Sequence, residues 1–234
     1  MRVLNTCWRA LVLAPGMLVA AAHAADAGLY ATLTSDYVYR GVTYSDGHVA
    51  VQLSGDVAFD SGFYAGVWGS TVDIENGPTR QRDTQLNFYA GYETTVGGRW
   101  SLGANVVAFT FPGQTGNIDY DYEELAVVLN YDDRAWLEVA WSPDLYGTGL
   151  DTTNVDLLTE WPLWAGIVGI LGAGYYDTSE LTGVGYGYWQ IGVARGFGRF
   201  NADLSFHDTN RGVPIVSAGD RGDQRISVSL QVVF

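Results

Sequence analysis

The sequence predicts an all-β protein, a transmembrane antiparallel β-barrel of about twelve strands preceded by a cleaved signal peptide. Three observations predict this class: a secretory signal at the N-terminus, repeated segments of alternating apolar and polar residues, and connections that alternate between short and long. After the signal, no segment offers the roughly 18 uncharged apolar residues of a transmembrane helix. A secreted β-rich membrane protein must close into a barrel, because every backbone polar group needs a partner in lipid.

The N-terminal segment has the three parts of a signal peptide. Arg2 and Arg9 supply positive charge, residues 11–22 are mainly apolar, and residues 22–24 read Ala-His-Ala, a small-x-small cleavage site. We therefore divide the chain into a signal peptide at 1–24 and a barrel at 25–234. Cys7, the single cysteine, is removed with the signal. The mature chain is expected to contain no disulfide, no metal centre and no cofactor.

The mature chain is strongly acidic. Removal of Arg2 and Arg9 leaves 10 basic against 26 acidic residues, a net charge of −16, and none of the basic residues is lysine. Nucleic-acid binding needs a cationic surface, so this balance argues against it.

The strands follow one another through the whole mature chain. In the clearest of them, Val49, Val51, Leu53, Val57 and Phe59 alternate with polar or small residues. Alternate side chains of a strand point to opposite faces, so each strand has one lipid-facing and one inward-facing side. The predicted strands cover 29–40, 48–59, 63–73, 83–94, 100–111, 120–131, 134–141, 151–161, 165–176, 185–195, 199–208 and 222–234.

The connections support a barrel with two different ends. Every second connection is a tight turn built from Gly, Asp or Pro, and the others are longer. Short periplasmic turns and long outer loops are typical of outer-membrane barrels, whereas a soluble β-sandwich does not require this alternation. The predicted outer loops are 41–47, 74–82, 112–119, 142–150, 177–184 and 209–221, and the last of these is predicted to fold in or form a flap over the lumen.

Aromatic side chains mark the short-turn end. On the predicted outward face they form the girdle expected where amphipathic rings meet lipid headgroups. These residues are Phe59, Phe63, Tyr92, Trp100, Tyr131, Trp161, Phe200 and Phe234. Inward-facing rings are expected to pack over glycines of neighbouring strands, although a sliding surface for sugars or nucleosides is the alternative.

The C-terminal strand is predicted to close the barrel against the first strand. Its apolar face runs from Ile226 to the terminal Phe234, and such an edge needs a partner. If residue 29 meets residue 234, the antiparallel register places Asp36 near Arg225 and Arg40 near Asp223. The same strand is the expected recognition signal for the outer-membrane assembly machinery.

Two blocks resemble one bacterial family. Residues 34–46, TSDYVYRGVTYSD, and residues 62–73, GFYAGVWGSTVD, are similar to paired motifs of the TorF family of porins. They cover the first three predicted strands, and the length and strand pattern of the remainder fit. The resemblance implies a porin in the outer membrane of a Gram-negative bacterium and names no solute.

The inward faces predict a hydrated, anionic lumen. Nine acidic and two basic residues lie at inward-facing positions of the strands. Water in the lumen removes the cost of burying unpaired carboxylates. The predicted pore-lining residues are Asp36, Arg40, Asp56, Asp83, Glu93, Glu124, Glu138, Asp156, Glu160, Asp203 and Arg225. Rings of carboxylates favour cations, so we expect a narrow porin for small hydrophilic solutes with weak cation selectivity. A polar interior that conducts little is the alternative.

Two other classes compete with a channel. Some twelve-stranded barrels are lipid hydrolases, and Ser205 and His207 share an inward face near the outer end. Residues i and i+2 of one strand lie about 6.5–7 Å apart along the backbone, which is too far for a direct Ser–His hydrogen bond, so we expect no enzyme. A structural or adhesive barrel is the other class. The expected partners are outer-membrane lipid, lipopolysaccharide and the solutes, with the protein a monomer or homo-oligomer.

Overall fold

The computed structural model describes residues 26–76, 79–113, 119–210 and 221–234. The predicted signal peptide at 1–24 lies outside the described residues, as does most of the predicted flap at 209–221. Among the described residues, no helix has the length and apolar character required to span a bilayer.

Twelve strands within the described ranges close into an antiparallel barrel, and this confirms the predicted fold class. Each barrel strand pairs with its neighbours in sequence, and β1 pairs with β14 to complete the circle. β2 and β3 form a separate two-stranded hairpin. The strands are β1 (Asp26–Thr34), β2 (Val38–Tyr39), β3 (Val42–Thr43), β4 (Ala50–Ala58), β5 (Phe63–Asn76), β6 (Thr79–Gly97), β7 (Trp100–Thr110), β8 (Tyr122–Tyr131), β9 (Ala135–Ser142), β10 (Thr152–Pro162), β11 (Ile167–Asp177), β12 (Tyr186–Phe197), β13 (Phe200–Thr209) and β14 (Arg225–Val233).

Two predicted boundaries are wrong. The first strand ends at Thr34 rather than at residue 40, and the chain then turns inward. The predicted loop at 74–82 is largely strand, because β5 continues to Asn76 and β6 begins at Thr79. β7 pairs with β6 only from Leu86 onward. The upper parts of β5 and β6 therefore form a two-stranded ribbon above the barrel wall.

The outer surface of the barrel is an apolar belt. Leu53, Leu171 and Val228 lie on strands far apart around the wall, and their side chains are 59%, 55% and 52% exposed. Contiguous apolar surface on a soluble monomer rarely exceeds a few hundred Å², so a belt around the whole barrel requires lipid. The eight predicted girdle aromatics are all on this surface, between 37% and 69% exposed.

Inward-facing tyrosines pack over glycines on the neighbouring strand, as predicted. Gly66 lies opposite Tyr89 on β6, and Gly91 lies opposite Tyr64 on β5. A Cβ atom added at Gly66 would overlap the Tyr89 ring. These glycines give large rings a place against the wall and keep the rings out of the centre of the barrel.

The seam between β1 and β14 has the predicted register. The backbone N–H of Phe234 donates to the carbonyl of Leu29 at 3.0 Å, and Thr34 lies opposite Ser229. On the inward side, the Ser229 hydroxyl lies 3.0 Å from that of Thr34. The C-terminal strand therefore closes the barrel through the backbone ladder and through polar contacts inside it.

Candidate functional site in the barrel lumen

Residues 35–49, here named the lumenal hairpin, fold into the barrel between β1 and β4. Tyr37 contacts Trp68 of β5 with ring centroids 5.3 Å apart, and Tyr39 contacts Phe109 of β7 at 6.3 Å. The Tyr37 hydroxyl also donates to Gln85 of β6 at 3.4 Å. Because these partners lie on successive strands of the wall, the hairpin occupies the interior at the long-loop end.

The tip of the lumenal hairpin is a two-residue turn. Arg40 and Gly41 have φ values of 50° and 77°, and they join β2 to β3. Positive φ at both central residues defines a type I′ turn, in which the second position commonly holds glycine. A Cβ atom at Gly41 would also meet the Tyr188 and Thr209 side chains at 2.7 and 2.6 Å. The turn therefore presses its backbone against the wall and projects Arg40 across the lumen.

Arg40 forms a buried bidentate ion pair with Glu124 of β8. Its two terminal nitrogens donate to the two carboxylate oxygens at 2.6 and 2.8 Å, and the side chains are 4% and 5% exposed. The Tyr39 and Tyr176 rings lie 4.7 and 4.8 Å from the guanidinium carbon. Burial lowers the pKa of Arg40, but the charge of Glu124 and its hydrogen bonds raise that pKa well above its ordinary value. The guanidinium is therefore permanently charged.

Asp36 organises the base of the lumenal hairpin. Its Oδ1 accepts hydrogen bonds from the Thr43 hydroxyl at 2.5 Å, the Ser45 hydroxyl at 3.0 Å and the Gly47 N–H at 3.2 Å. Its Oδ2 lies 3.8 Å from a terminal nitrogen of Arg225, which confirms the predicted contact across the seam. The polar residues of the first sequence block therefore serve to fold the hairpin around one carboxylate.

Arg221 holds the hairpin from the other side. Its guanidinium donates to the carbonyl of Thr43 at 3.3 Å and to that of Asp73 at 3.1 Å. The Thr43 N–H donates to the carbonyl of Arg221 at 3.0 Å. The segment before β14 is thus joined to the hairpin. The sequence gives no local signal for this role of Arg221.

The short-turn half of the lumen is arranged differently. Asp56 and Glu93 face inward and are half-buried, and Glu93 accepts a hydrogen bond from Ser101 at 2.5 Å. Asp203 is buried and accepts from Ser205 at 2.8 Å. Glu160 lies at the same level near the end of β10. Among the described residues, neither Asp56 nor Glu93 forms an ion pair, whereas Glu160 lies opposite Arg134, whose carbonyl accepts a hydrogen bond from the Glu160 N–H at 2.8 Å.

Two further carboxylates meet at mid-height. Glu138 of β9 lies directly opposite Asp156 of β10, with both side chains on the inward face. They line a cavity of about 50 Å³ together with Arg40, Tyr188, Gln190 and His207. This cavity lies directly beneath the tip of the lumenal hairpin.

The predicted pore-lining residues therefore fall into separate groups. Asp36, Arg40, Glu124 and Arg225 belong to the hairpin network, and the predicted contact of Arg40 with Asp223 is wrong because Arg40 reaches Glu124 instead. Asp83 lies in the ribbon above the pairing of β6 with β7, where its Oδ1 accepts a hydrogen bond from the backbone N–H of Thr84 at 2.6 Å. The remaining six acids line the middle and the short-turn half of the barrel.

Ser205 and His207 form no hydrogen bond with each other, as predicted. Ser205 donates to Asp203, whereas the His207 Nε2 atom lies 3.0 Å from the hydroxyl of Ser227 on β14. Both groups face the lumen. A lipid ester would approach from the outer surface, so this position does not suit lipid hydrolysis.

Several solved structures are similar to the chain, and one of them, with a TM-score above 0.5, supports the fold. A protein from a study titled "Unveiling the Mechanism Behind the in-meso Crystallization of Membrane Proteins" is similar over 89% of this chain and 83% of its own, with 11% identity and a TM-score of 0.54. Salmonella typhi OmpF in complex with daunomycin matches 90% of this chain and 97% of its own, at 8% identity and a TM-score of 0.43. A mutant of the Rh. blastica porin matches 90% and 100%, at 10% identity and a TM-score of 0.36.

A match to a sequence family covers nearly the whole chain. No curated protein matches the chain significantly. Residues 20–234 match a family described as "Bacterial protein of unknown function (Gcw_chp)". The match includes the lumenal hairpin, all twelve barrel strands and the C-terminal Phe234. The chain belongs to this bacterial family.

Proposed function

We propose that the protein is a porin-like channel in the outer membrane of a Gram-negative bacterium, as the resemblance to the TorF family implies. Small hydrophilic solutes diffuse through it passively, with a weak preference for cations. Its surroundings are outer-membrane lipid and lipopolysaccharide, and the assembly machinery recognises its C-terminal strand.

One observation carries this proposal: the inward carboxylates Asp56 and Glu93 of the short-turn half are half-buried and form no ion pair among the described residues. An ionised carboxylate in a dry interior costs several kcal/mol unless it is paired, so Asp56 and Glu93 require water around them. A wet passage lined by carboxylates attracts cations and repels anions.

The lumenal hairpin makes the passage narrow. It fills the long-loop end with the aromatic contacts of Tyr37 and Tyr39 and with the Arg40–Glu124 pair. A twelve-stranded barrel is already narrower than a sixteen-stranded porin. We therefore expect a small single-channel conductance and passage of ions and small solutes only.

Planar-bilayer recording of the refolded protein in a KCl gradient tests the proposal. We expect a reversal potential displaced from zero toward the equilibrium potential of K⁺. In the triple variant Asp56→Asn, Glu93→Gln, Glu160→Gln, the reversal potential should move back toward zero. A matched control removes the same number of negative charges from exposed positions on the outward face or in loops: Glu123→Gln, Asp177→Asn, Glu180→Gln. This control should keep the selectivity of the wild type.

The outcomes separate the alternatives. An anion-selective reversal potential would contradict the proposed selectivity. Complete absence of conductance in folded protein would contradict the channel and favour a structural barrel.

A further inference from the structure

Arg195 of β12 lies on the lipid-facing surface of the barrel. Its neighbours on this face of the strand are Val193 and Phe197, and all three side chains are exposed. Across the sheet, Arg195 lies opposite Ile167 of β11 and Ala202 of β13. A guanidinium group is therefore surrounded on four sides by apolar residues of the belt.

No carboxylate neutralises this charge among the described residues. Arg195 forms no ion pair there, whereas Arg99 and Arg134 at two short turns lie 3.3 and 3.7 Å from Asp132. A cation on the lipid-facing surface is costly, so its long side chain is expected to bend toward the headgroups. Two residues of a strand span about 6.5–7 Å, so the guanidinium can reach the level of Phe197, where headgroup phosphates supply the missing negative charge.

A second copy of the chain does not supply that charge from its strands. Copies in one membrane have the same orientation, so they meet at the same height. The outward-facing carboxylates of the described barrel strands lie at the long-loop end, and Arg195 lies near the short-turn end. These carboxylates are Glu123, Asp177 and Asp208. The position of Arg195 therefore points to a lipid as its partner.

The surface beside Arg195 has room for an acyl chain. Ala202 lies between the larger, exposed side chains of Phe200 and Leu204 on the outward face of β13. Leu230 of β14 lies on the other side of Ala202. A small side chain among larger ones leaves a shallow apolar depression directly next to the guanidinium.

We propose that Arg195 binds the phosphate group of an anionic phospholipid in the leaflet at the short-turn end. A guanidinium fits a phosphate through two parallel hydrogen bonds and is more weakly hydrated than an ammonium group. Arg199 lies in the adjacent turn, is exposed and also forms no ion pair among the described residues, so it adds positive charge at the headgroup level. The phosphate belongs to a lipid because Arg195 lies within the apolar belt.

This inference rests on the proposed place of the barrel in an outer membrane and adds a specific lipid to it. Lipid binding is measured without conduction, so the two proposals fail separately. A barrel that conducts ions but does not bind the lipid would retain the channel and lose the site. A barrel that binds the lipid and conducts nothing would retain the site and lose the channel.

Native mass spectrometry of the refolded protein in a maltoside detergent tests the site, because this detergent contains no phosphate. Titration with phosphatidylglycerol should give a saturable complex. Arg195→Gln should weaken binding about fivefold, the factor expected for one arginine at an anionic lipid surface. The control Arg99→Gln removes a positive charge that already lies beside Asp132, and it should bind as the wild type does. Equal affinity in Arg195→Gln and the wild type, or equal losses in both variants, would overturn the proposal.

Inorganic phosphate distinguishes a lipid site from a site for the free anion. At the concentration of the lipid, sodium phosphate should leave the phosphatidylglycerol complex intact. Displacement of the lipid would assign the site to free phosphate and overturn the proposal.

A stability measurement provides an independent readout. Phosphatidylglycerol should raise the thermal midpoint of the wild-type barrel in the same detergent, because the lipid binds the folded state. The rise should be smaller in Arg195→Gln and unchanged in Arg99→Gln. Equal rises in all three proteins would contradict a role of Arg195.

Discussion

The long-loop half and the short-turn half of the lumen both contain carboxylates, but the surroundings of these carboxylates differ. In the long-loop half, Glu124 and Asp36 are buried, and each has an arginine and hydrogen-bond donors beside it. In the short-turn half, Asp56 and Glu93 are half-buried and form no ion pair among the described residues. The first half resembles a protein core, and the second resembles a solvated channel wall.

The difference shows how burial determines which charges need partners. A buried ion pair gains little over an apolar replacement, but removal of one partner leaves a charge in a low-dielectric interior. A carboxylate in contact with water bears no such penalty. We therefore expect substitutions in the long-loop half to change stability, and those in the short-turn half to change ion selectivity.

The largest effect should come from replacing residues 36–46 with a short Gly-Ser linker. This change removes the lumenal hairpin while keeping β1 and β4, so the long-loop half should become as wet as the short-turn half. We expect single-channel conductance to rise several-fold. Unchanged conductance would mean that the hairpin does not limit the passage.

Arg40→Met should have the next largest effect. It leaves Glu124 buried without its partner, which costs about 3–5 kcal/mol of unfolding free energy. Urea-induced unfolding from lipid vesicles measures this loss. The double variant Arg40→Met, Glu124→Gln should recover a large part of the loss, because it removes the orphaned charge as well.

An exposed ion pair provides the control for Arg40. Arg99 lies 3.3 Å from Asp132 at a short turn, and its side chain is 65% exposed. Arg99→Met should therefore cost at most about 1 kcal/mol. Similar losses for Arg40→Met and Arg99→Met would contradict the contrast between buried and solvated charges.

Gly66→Ala should have a smaller effect than Arg40→Met. The new methyl group would meet the Tyr89 ring, and such overpacking typically costs about 1–3 kcal/mol. Gly55→Ala is the matched change on the outward face of the adjacent strand, where the nearest atom is Leu29 Cδ1 at 3.6 Å. That control should change the unfolding free energy by no more than about 0.5 kcal/mol. Equal losses would indicate a backbone effect rather than contact with Tyr89.

The barrel could be predicted because the sequence pattern that identifies each strand lies within that strand. Alternation of apolar and polar residues identifies the two faces of each strand, and the terminal Phe234 fixes the closing register. The loop predicted at 74–82 is wrong because the backbone pairing of β5 and β6 extends beyond the segment that lipid must cover. Lipid sets the minimum length of a strand and leaves its maximum length open.

The lumenal hairpin could not be predicted in the same way. Residues 34–40 alternate as well as a barrel strand does, and Arg40-Gly41 is not among the common type I′ pairs. The decisive contact joins Arg40 to Glu124, 84 residues later in the chain. The alternation of side chains along a strand indicates that both residues face the lumen, but it carries no information about the distance between them.

The lumenal hairpin also bears on the order of assembly. It lies near the start of the described residues, yet Thr43 accepts a hydrogen bond from Arg221, 178 residues away. Closure of so long a loop is entropically costly until the strands between have paired. The contacts of the hairpin with Arg221 and Arg225 therefore form only after β14 has met β1. A barrel closed in the wrong register would displace Arg225 from Asp36. The hairpin therefore makes its full set of contacts only when β1 and β14 have paired in the correct register.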